Sequence, residues 1–107
     1  MRKILLTPYP GAVVLTRTRR EFEREYKRIS GNSCTLPLST TGRMQPFTWD
    51  RYASVYLIFA PQVSTLAHEL SHAILALFND IGIDPRQNGG EPFCYLLGHL
   101  MDEARKR

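Results

Sequence analysis

The spacing of apolar residues changes abruptly near the middle of the chain, and this change constrains the fold more than any other feature. Residues Tyr52 to Ala60 are rich in aromatic and β-branched side chains, which favour a strand. Pro61 ends that run, and from Val63 to Asp80 the apolar residues recur at helical spacing instead. The sequence therefore predicts a strand and a long helix joined by a very short connection, with Ser64 or Thr65 as the helix N-cap.

The other elements follow from the same kind of pattern. They are a strand at Gly11 to Thr16, a helix at Thr18 to Ile29 closed by Gly31, an irregular strand around Arg43 to Trp49, a polar loop over 82–90 and a last helix from Pro92 to about Ala104. A chain of 107 residues is expected to form one domain, here residues 1–107. The predicted fold class is α+β.

Charge and composition exclude several classes of protein. The net charge of +4 comes from basic residues in the first helix and at the C-terminus, but Glu21, Glu23 and Glu25 are interleaved with the first group. Interleaved charges at helical spacing favour a solvated face with supporting ion pairs. This pattern does not favour nucleic-acid binding, since neither helix-turn-helix nor zinc-finger spacing is present. No stretch approaches the apolar length of a membrane span.

The two cysteines, Cys34 and Cys94, are too few for a disulfide framework. The apolar start of the chain breaks at Thr7 to Gly11, too soon for a secretory signal peptide. A reducing cytoplasm is therefore the expected location, with both cysteines as thiols.

The predicted long helix carries a metal-binding pattern, His68-Glu69-x-x-His72. Residues four apart lie one helical turn apart on one face, so the two imidazoles can reach a single zinc ion. The carboxylate of Glu69 then lies beside the metal, where it can take a proton from a zinc-bound water. Two of the three histidines fall in this pattern, which favours a zinc site over a coincidence.

A catalytic zinc site needs a third protein ligand, for which Glu91 is the prediction. It lies nineteen residues after His72, at the start of the last helix, so a loop can return it toward the first two ligands. A negative charge that favours a helix N-terminus is the alternative role for Glu91. The competing ligands are Asp80, Asp84, Cys94 and His99.

The histidine pair followed by a glutamate on the next helix resembles the gluzincin branch of zinc metallopeptidases. The stretch from His68 to about Leu100 is also similar to short HExxH proteins encoded by bacteriophages, which would place the chain in a host cytoplasm. The resemblance implies a minimal zincin-like core: a small twisted sheet, an N-terminal helix, the HExxH helix and a C-terminal helix bearing Glu91. Tyr95 occupies a position where larger gluzincins often have an aspartate.

The resemblance implies a zinc metallopeptidase in which Glu69 activates water. Tyr95 and His99 share the face of Glu91 and are candidates to stabilise an oxyanion, although packing alone would also explain either residue. The strand Tyr52 to Ala60 is expected to pair with an extended peptide or protein substrate if it lies at the sheet edge, and to be an interior strand otherwise. A zinc-stabilised binding module or phage effector without hydrolytic activity is the alternative function.

Overall fold

The computed structural model describes residues 1–48 and 54–106, which form a mixed sheet and three α-helices. The elements are β1 (Arg2–Leu5), β2 (Ala12–Thr16), α1 (Arg19–Ser30), β3 (Arg43–Thr48), β4 (Ser54–Phe59), α2 (Val63–Ile81) and α3 (Glu91–Arg105), with a single 3₁₀ turn at Gln87–Gly90. The predicted α+β class and the order of elements from β2 to α3 are confirmed. The first strand, β1, was not predicted.

The sheet has the strand order β1-β2-β4-β3, in which β2 and β4 are parallel and the two outer strands are antiparallel to their neighbours. The strand predicted at Tyr52 to Ala60 is confirmed over Ser54–Phe59, while Tyr52 lies outside the described residues. The prediction of a free edge there is wrong for this span, because β4 pairs with β2 on one side and with β3 on the other. The edge strand nearest the long helix is β3 instead.

Alternation along the central strands sends side chains into two separate cores. Tyr56 and Ile58 face the side covered by α2 and α3, whereas Leu57 and Phe59 face the side covered by α1. The buried positions of β2 divide in the same way. The molecule is therefore a three-layer arrangement, with α1 on one face of the sheet and the two later helices on the other.

Helix α1 ends at Gly31, as the sequence predicts, and begins at a capping box that was not predicted. The Thr18 hydroxyl accepts from the Glu21 N–H, and Gly31 takes a left-handed conformation with φ of 78°. Of the interleaved acids, Glu25 pairs with Arg28 at 2.7 Å, but Glu23 accepts a hydrogen bond from the backbone N–H of Leu36. The expectation of ion pairs along the helix is thus confirmed for one of these acids.

The N-cap of helix α2 lies two or three residues before the predicted Ser64 or Thr65. Gln62 is the N-cap residue, and Thr65 lies in the first turn, where its hydroxyl accepts from the Gln62 N–H and donates to the Gln62 carbonyl. Thr65 is therefore not the N-cap residue, but it still contributes to the start of the helix. Its hydroxyl, three residues after Gln62, bonds to the exposed backbone groups of that residue. Gly82 closes the helix in the left-handed conformation, with φ of 78°.

The described helices include no candidate for a membrane span, because none of them combines the length and the apolar character that crossing a membrane requires. Cys34 is partly buried, Cys94 is exposed, and both are free cysteines, in agreement with the predicted thiols.

A hydrogen bond between Tyr56 and Asp80 fastens the end of α2 to the middle of the sheet. The Tyr56 hydroxyl donates to the Asp80 carboxylate at 2.7 Å, and the ring is fully buried. Burial and the nearby carboxylate raise the pKa of Tyr56 above its usual value near 10, since both disfavour the phenolate. The bond fixes the last turn of the helix that carries the histidines.

We expect Tyr56→Phe to lower the free energy of unfolding by about 1 kcal/mol, the typical contribution of one hydrogen bond, because Asp80 is exposed and water can replace the lost donor. Urea denaturation at neutral pH measures the change. Tyr95→Phe is the control, since Tyr95 is exposed and its hydroxyl has no hydrogen bond among the described residues. Equal stability of wild type and Tyr56→Phe would show that this bond does not hold the helix.

The raised pKa of Tyr56 gives a second readout for the same pair of variants. Above about pH 10 the unfolded chain ionises this tyrosine while the folded chain keeps it neutral, so stability falls as the pH rises further. Tyr56→Phe should show a smaller alkaline loss of stability than wild type.

Candidate metal centre

Helix α2 presents its metal-binding pattern because its apolar stripe is fixed against the sheet. Leu66, Leu70 and Ile74 are buried and face β4, which leaves His68 and His72 on the solvent side. Glu69 follows His68 by about 100° around the helix axis, which turns its side chain toward the sheet. The side chain of His68 is 67% exposed, whereas Glu69 as a residue is only 7% exposed.

The three side chains converge as the sequence predicts. The Nε2 atoms of His68 and His72 lie 3.1 Å apart, and Nε2 of His68 lies 4.0 Å from Oε2 of Glu69. One ligand atom from each residue can be chosen so that all three lie within 4.8 Å of one another. Over residues 1–48 and 54–106, this is the one group of three or more His, Cys, Asp or Glu side chains that close.

The separation of the two imidazoles suits a zinc ion. With Zn–N bonds of about 2.0–2.1 Å, two nitrogens 3.1 Å apart subtend an angle of about 98° at the metal, close to tetrahedral. Without a metal, a 3.1 Å contact between two ring nitrogens requires a proton on one of them. A zinc ion would accept electron pairs from both nitrogens and remove that requirement.

Glu69 is a largely buried residue with no fixed cation beside it, although its carboxylate oxygens still reach solvent. In the described part of the chain it makes no hydrogen bond, and its ionic neighbour is the His68 imidazole at 4.0 Å. Buried charges in proteins are normally paired with a charged group or a metal. Two imidazole donors with an uncompensated carboxylate beside them therefore fit a divalent cation, with zinc favoured by the nitrogens.

Gly42 packs against the side chain of Glu69, and it was not among the site residues predicted from the sequence. A Cβ atom at Gly42 would lie 2.9 Å from Oε2 of Glu69 and 3.4 Å from Cβ of Thr65. The start of β3 therefore packs directly against the Glu69 carboxylate. An isolated glycine just before a strand is a known signal of close backbone approach, but the sequence alone does not name what approaches.

Glu91 lies elsewhere in the structure. It lines a cleft of about 460 Å³ between the first turns of α3 and the turn after β1, together with Tyr95, His99 and the turn residues Thr7, Pro8 and Tyr9. We call this the α3 cleft. Glu91, Tyr95 and His99 share one face of α3, as predicted, and they line a cleft to which His68 and His72 do not contribute. The structure does not bring these three residues to the predicted metal site, and their roles there stay predictions.

The separation follows from how the two helices pack. α2 lies against β3 and β4, whereas α3 packs on α2 and beside β1, at the opposite edge of the sheet. Tyr9 stacks against Phe78 near the end of α2, with ring centroids 5.7 Å apart. The α3 cleft is therefore near the C-terminal end of α2, beside Phe78, which lies about 1.7 helical turns beyond His72 and about 2.8 turns beyond His68.

The remaining candidate ligands, Asp80, Asp84 and Cys94, also lie outside the group formed by the two histidines and Glu69. Asp80 accepts the Tyr56 hydrogen bond, and Asp84 holds Arg86 at 3.2 Å, which lowers the pKa of Asp84. Cys94 is exposed on α3. None of them joins the group formed by His68, Glu69 and His72.

We expect about one zinc ion per chain, with His68→Ala and His72→Ala each losing most of it. His99→Ala is the matched control, because the third histidine lies in the α3 cleft and should leave the zinc content unchanged. Elemental analysis after dialysis measures the ratio. Zinc retained by both α2 variants would refute the site.

Glu91→Gln tests whether Glu91 is a zinc ligand, as the resemblance to gluzincins implies, or only lines the α3 cleft. With Glu91 in the α3 cleft, the variant should keep its zinc; a gluzincin-like ligand set predicts that it loses zinc. The same elemental analysis decides between the two.

Comparison of the chain with protein-family models, with curated proteins and with solved structures found no match in any of the three. The functional interpretation therefore depends on the geometry of His68, Glu69, His72 and Gly42, and on the motif on which the resemblance to gluzincins rests.

Proposed function

We propose that the protein is a zinc-dependent hydrolase that cleaves peptide bonds, with His68 and His72 holding the metal and Glu69 acting as the general base. The observation that carries the proposal is the Glu69 carboxylate, which belongs to a residue only 7% exposed and has no charged partner among the described residues except His68, 4.0 Å away, in a histidine pair of zinc-binding geometry. A purely structural zinc site does not require a free carboxylate at that position.

The bound zinc would polarise a scissile carbonyl and acidify water beside it. The chain's own residues do the rest. His68 and His72 fix the position of the metal through their Nε2 atoms, and the backbone at Gly42 holds the Glu69 carboxylate on the sheet side of that pair. From there Glu69 accepts a proton at Oε2 and can pass it to the leaving amine.

An extended peptide is the substrate that this part of the molecule fits best. β3 is the edge strand beside α2, and Gly42 leads directly from the Glu69 contact into that strand. An edge strand can add a peptide as a further strand through backbone hydrogen bonds. The role that the resemblance implied for Tyr52 to Ala60 is therefore transferred to β3.

The sequence of β3 limits how a peptide could pair with it. Met44 packs on the α2 side and Phe47 on the α1 side, so the strand is held firmly from both faces. Pro46 has no N–H to donate, and a proline is tolerated in a paired strand only where its nitrogen faces outward. The free edge then offers N–H donors at Met44 and Thr48 but none between them.

A zinc-stabilised binding module is the second candidate, because the metal site is shallow. The His68 side chain is two-thirds exposed, and neither histidine lines any of the three clefts described in the structure. A site of this kind could present a metal to a partner instead of enclosing a substrate. Whether Glu69 is needed for the biological effect separates the two candidates.

We expect Glu69→Gln to keep its zinc and to lose hydrolysis, because an amide cannot accept the proton. The rate should fall by about 10²–10⁴-fold. Cleavage of a mixture of unfolded proteins, read by mass spectrometry, is the assay, since no substrate is specified.

Glu23→Gln is the matched control, because Glu23 is a carboxylate on α1, on the opposite face of the sheet. Equal cleavage by wild type and Glu69→Gln would rule out Glu69 as the base. No cleavage by wild type, with a biological effect that survives Glu69→Gln but not His68→Ala, would favour the binding module.

Gly42→Ala tests the positioning of the base without touching a metal ligand. The added methyl group would meet the flexible end of the Glu69 side chain, which can move, so the fold should remain intact while the carboxylate shifts. A displacement of about 1 Å in catalytic machinery costs roughly 10²-fold in rate. Zinc content should not change.

Gly98→Ala is the control for this variant, since a Cβ at Gly98 meets nothing within 4 Å. It should keep full activity and gain a little stability, because alanine favours a helix by up to about 1 kcal/mol over glycine. Full activity in Gly42→Ala would show that this contact does not position the base.

A further inference from the structure

The α3 cleft contains polar groups that the proposed hydrolase does not use. Glu91, Tyr95 and His99 follow one another at intervals of four residues along α3 and line the same wall. Among the described residues, Glu91 and Tyr95 make neither a hydrogen bond nor an ion pair, and Tyr95 is 76% exposed. Tyr95 is not an isolated exposed ring, because it lines the same cleft as the carboxylate of Glu91.

The charge of Glu91 is uncompensated although the chain is basic overall. The nearest cation in sequence is Arg86, and Asp84 holds it with hydrogen bonds of 2.9 Å to its backbone N–H and 3.2 Å to its side chain. This pairing raises the pKa of Arg86 and lowers that of Asp84. Neither lysine nor arginine lines the α3 cleft, so Glu91 is its one permanent charge.

The rest of the wall is suited to the apolar part of a ligand. Tyr9 and Tyr95 contribute aromatic rings, and Pro8, Pro92 and Leu96 contribute aliphatic surface. Aromatic faces attract cations, and a carboxylate forms charge-assisted hydrogen bonds with N–H donors. The volume of about 460 Å³ lies in the range of small-ligand sites.

We propose that the α3 cleft binds a cationic nitrogen group, an ammonium or a guanidinium, carried on a flat or aliphatic body, with Glu91 as its counter-ion. Tyr9 and Tyr95 would enclose the body of the ligand. The group can come from a free amine or from a lysine or arginine side chain of a partner polypeptide. This site is independent of the histidine pair, because it lies at the other edge of the sheet.

Calorimetric titration of the full chain with benzamidine and with benzamide tests the proposal. The two compounds have nearly the same shape, but only benzamidine carries the positive charge. We expect benzamidine to bind at least about tenfold more tightly, a difference of roughly 1.4 kcal/mol. Glu91→Gln should remove that difference, and Tyr95→Ala should weaken the binding of both compounds.

Asp102→Asn is the matched control, since Asp102 is an exposed acid on α3 that does not line the cleft. It should leave benzamidine binding unchanged. His68→Ala should also leave it unchanged, which separates this site from the proposed metal centre. A thermal melt of each variant confirms folding.

Two capped tripeptides, Gly-Arg-Gly and Gly-Gln-Gly, identify the source of the cation. Tighter binding of the arginine peptide than of benzamidine assigns the site to a polypeptide side chain, and the reverse order assigns it to a free amine. Equal affinity for benzamidine and benzamide, an unchanged affinity in Glu91→Gln, or dissociation constants all above about 10 mM would overturn the proposal.

Discussion

The packing of α2 against the sheet is the interaction on which the rest of the structure depends. Leu66, Leu70, Ile74 and Leu77 are at most 1% exposed, and burial of each such side chain contributes about 1.5–3 kcal/mol. This stripe fixes the rotation of the helix about its own axis. Once that rotation is fixed, the histidines must lie on the solvent side and Glu69 must turn toward β3.

The same packing explains why the chain has two separate polar sites. α2 covers the β3 side of the sheet and α3 packs on α2 beside β1, so the histidine pair and the α3 cleft lie on different parts of the surface. With two histidines and one carboxylate, a metal at the first site keeps coordination positions for water or substrate. The second site combines one acid with aromatic surface, which suits an organic cation better than a metal.

The sequence predicted most of the elements because their local patterns are strong. The apolar strand before Pro61, the glycine that ends α1 and the proline in the first turn of α3 each have one physical interpretation. The convergence of His68, Glu69 and His72 was also predictable, since one helix fixes all three positions.

The sequence could not predict how the elements are arranged relative to one another in space. β1 was missed because its four residues carry too little pattern, and the free edge was assigned to the wrong strand because strand order depends on pairing between distant segments. That Glu91 lines the α3 cleft could not be predicted from the sequence for a similar reason. A loop of suitable length permits a return toward His72, but the direction of α3 is decided by its contacts with α2 and β1.

A crystal structure of the zinc-loaded protein, with the metal located by its anomalous scattering, tests the central claim most directly. The account predicts a single strong peak about 2.0–2.1 Å from Nε2 of both His68 and His72, with the Glu69 carboxylate beside it against Gly42. A peak in the α3 cleft at Glu91, or none near the two histidines, would contradict it.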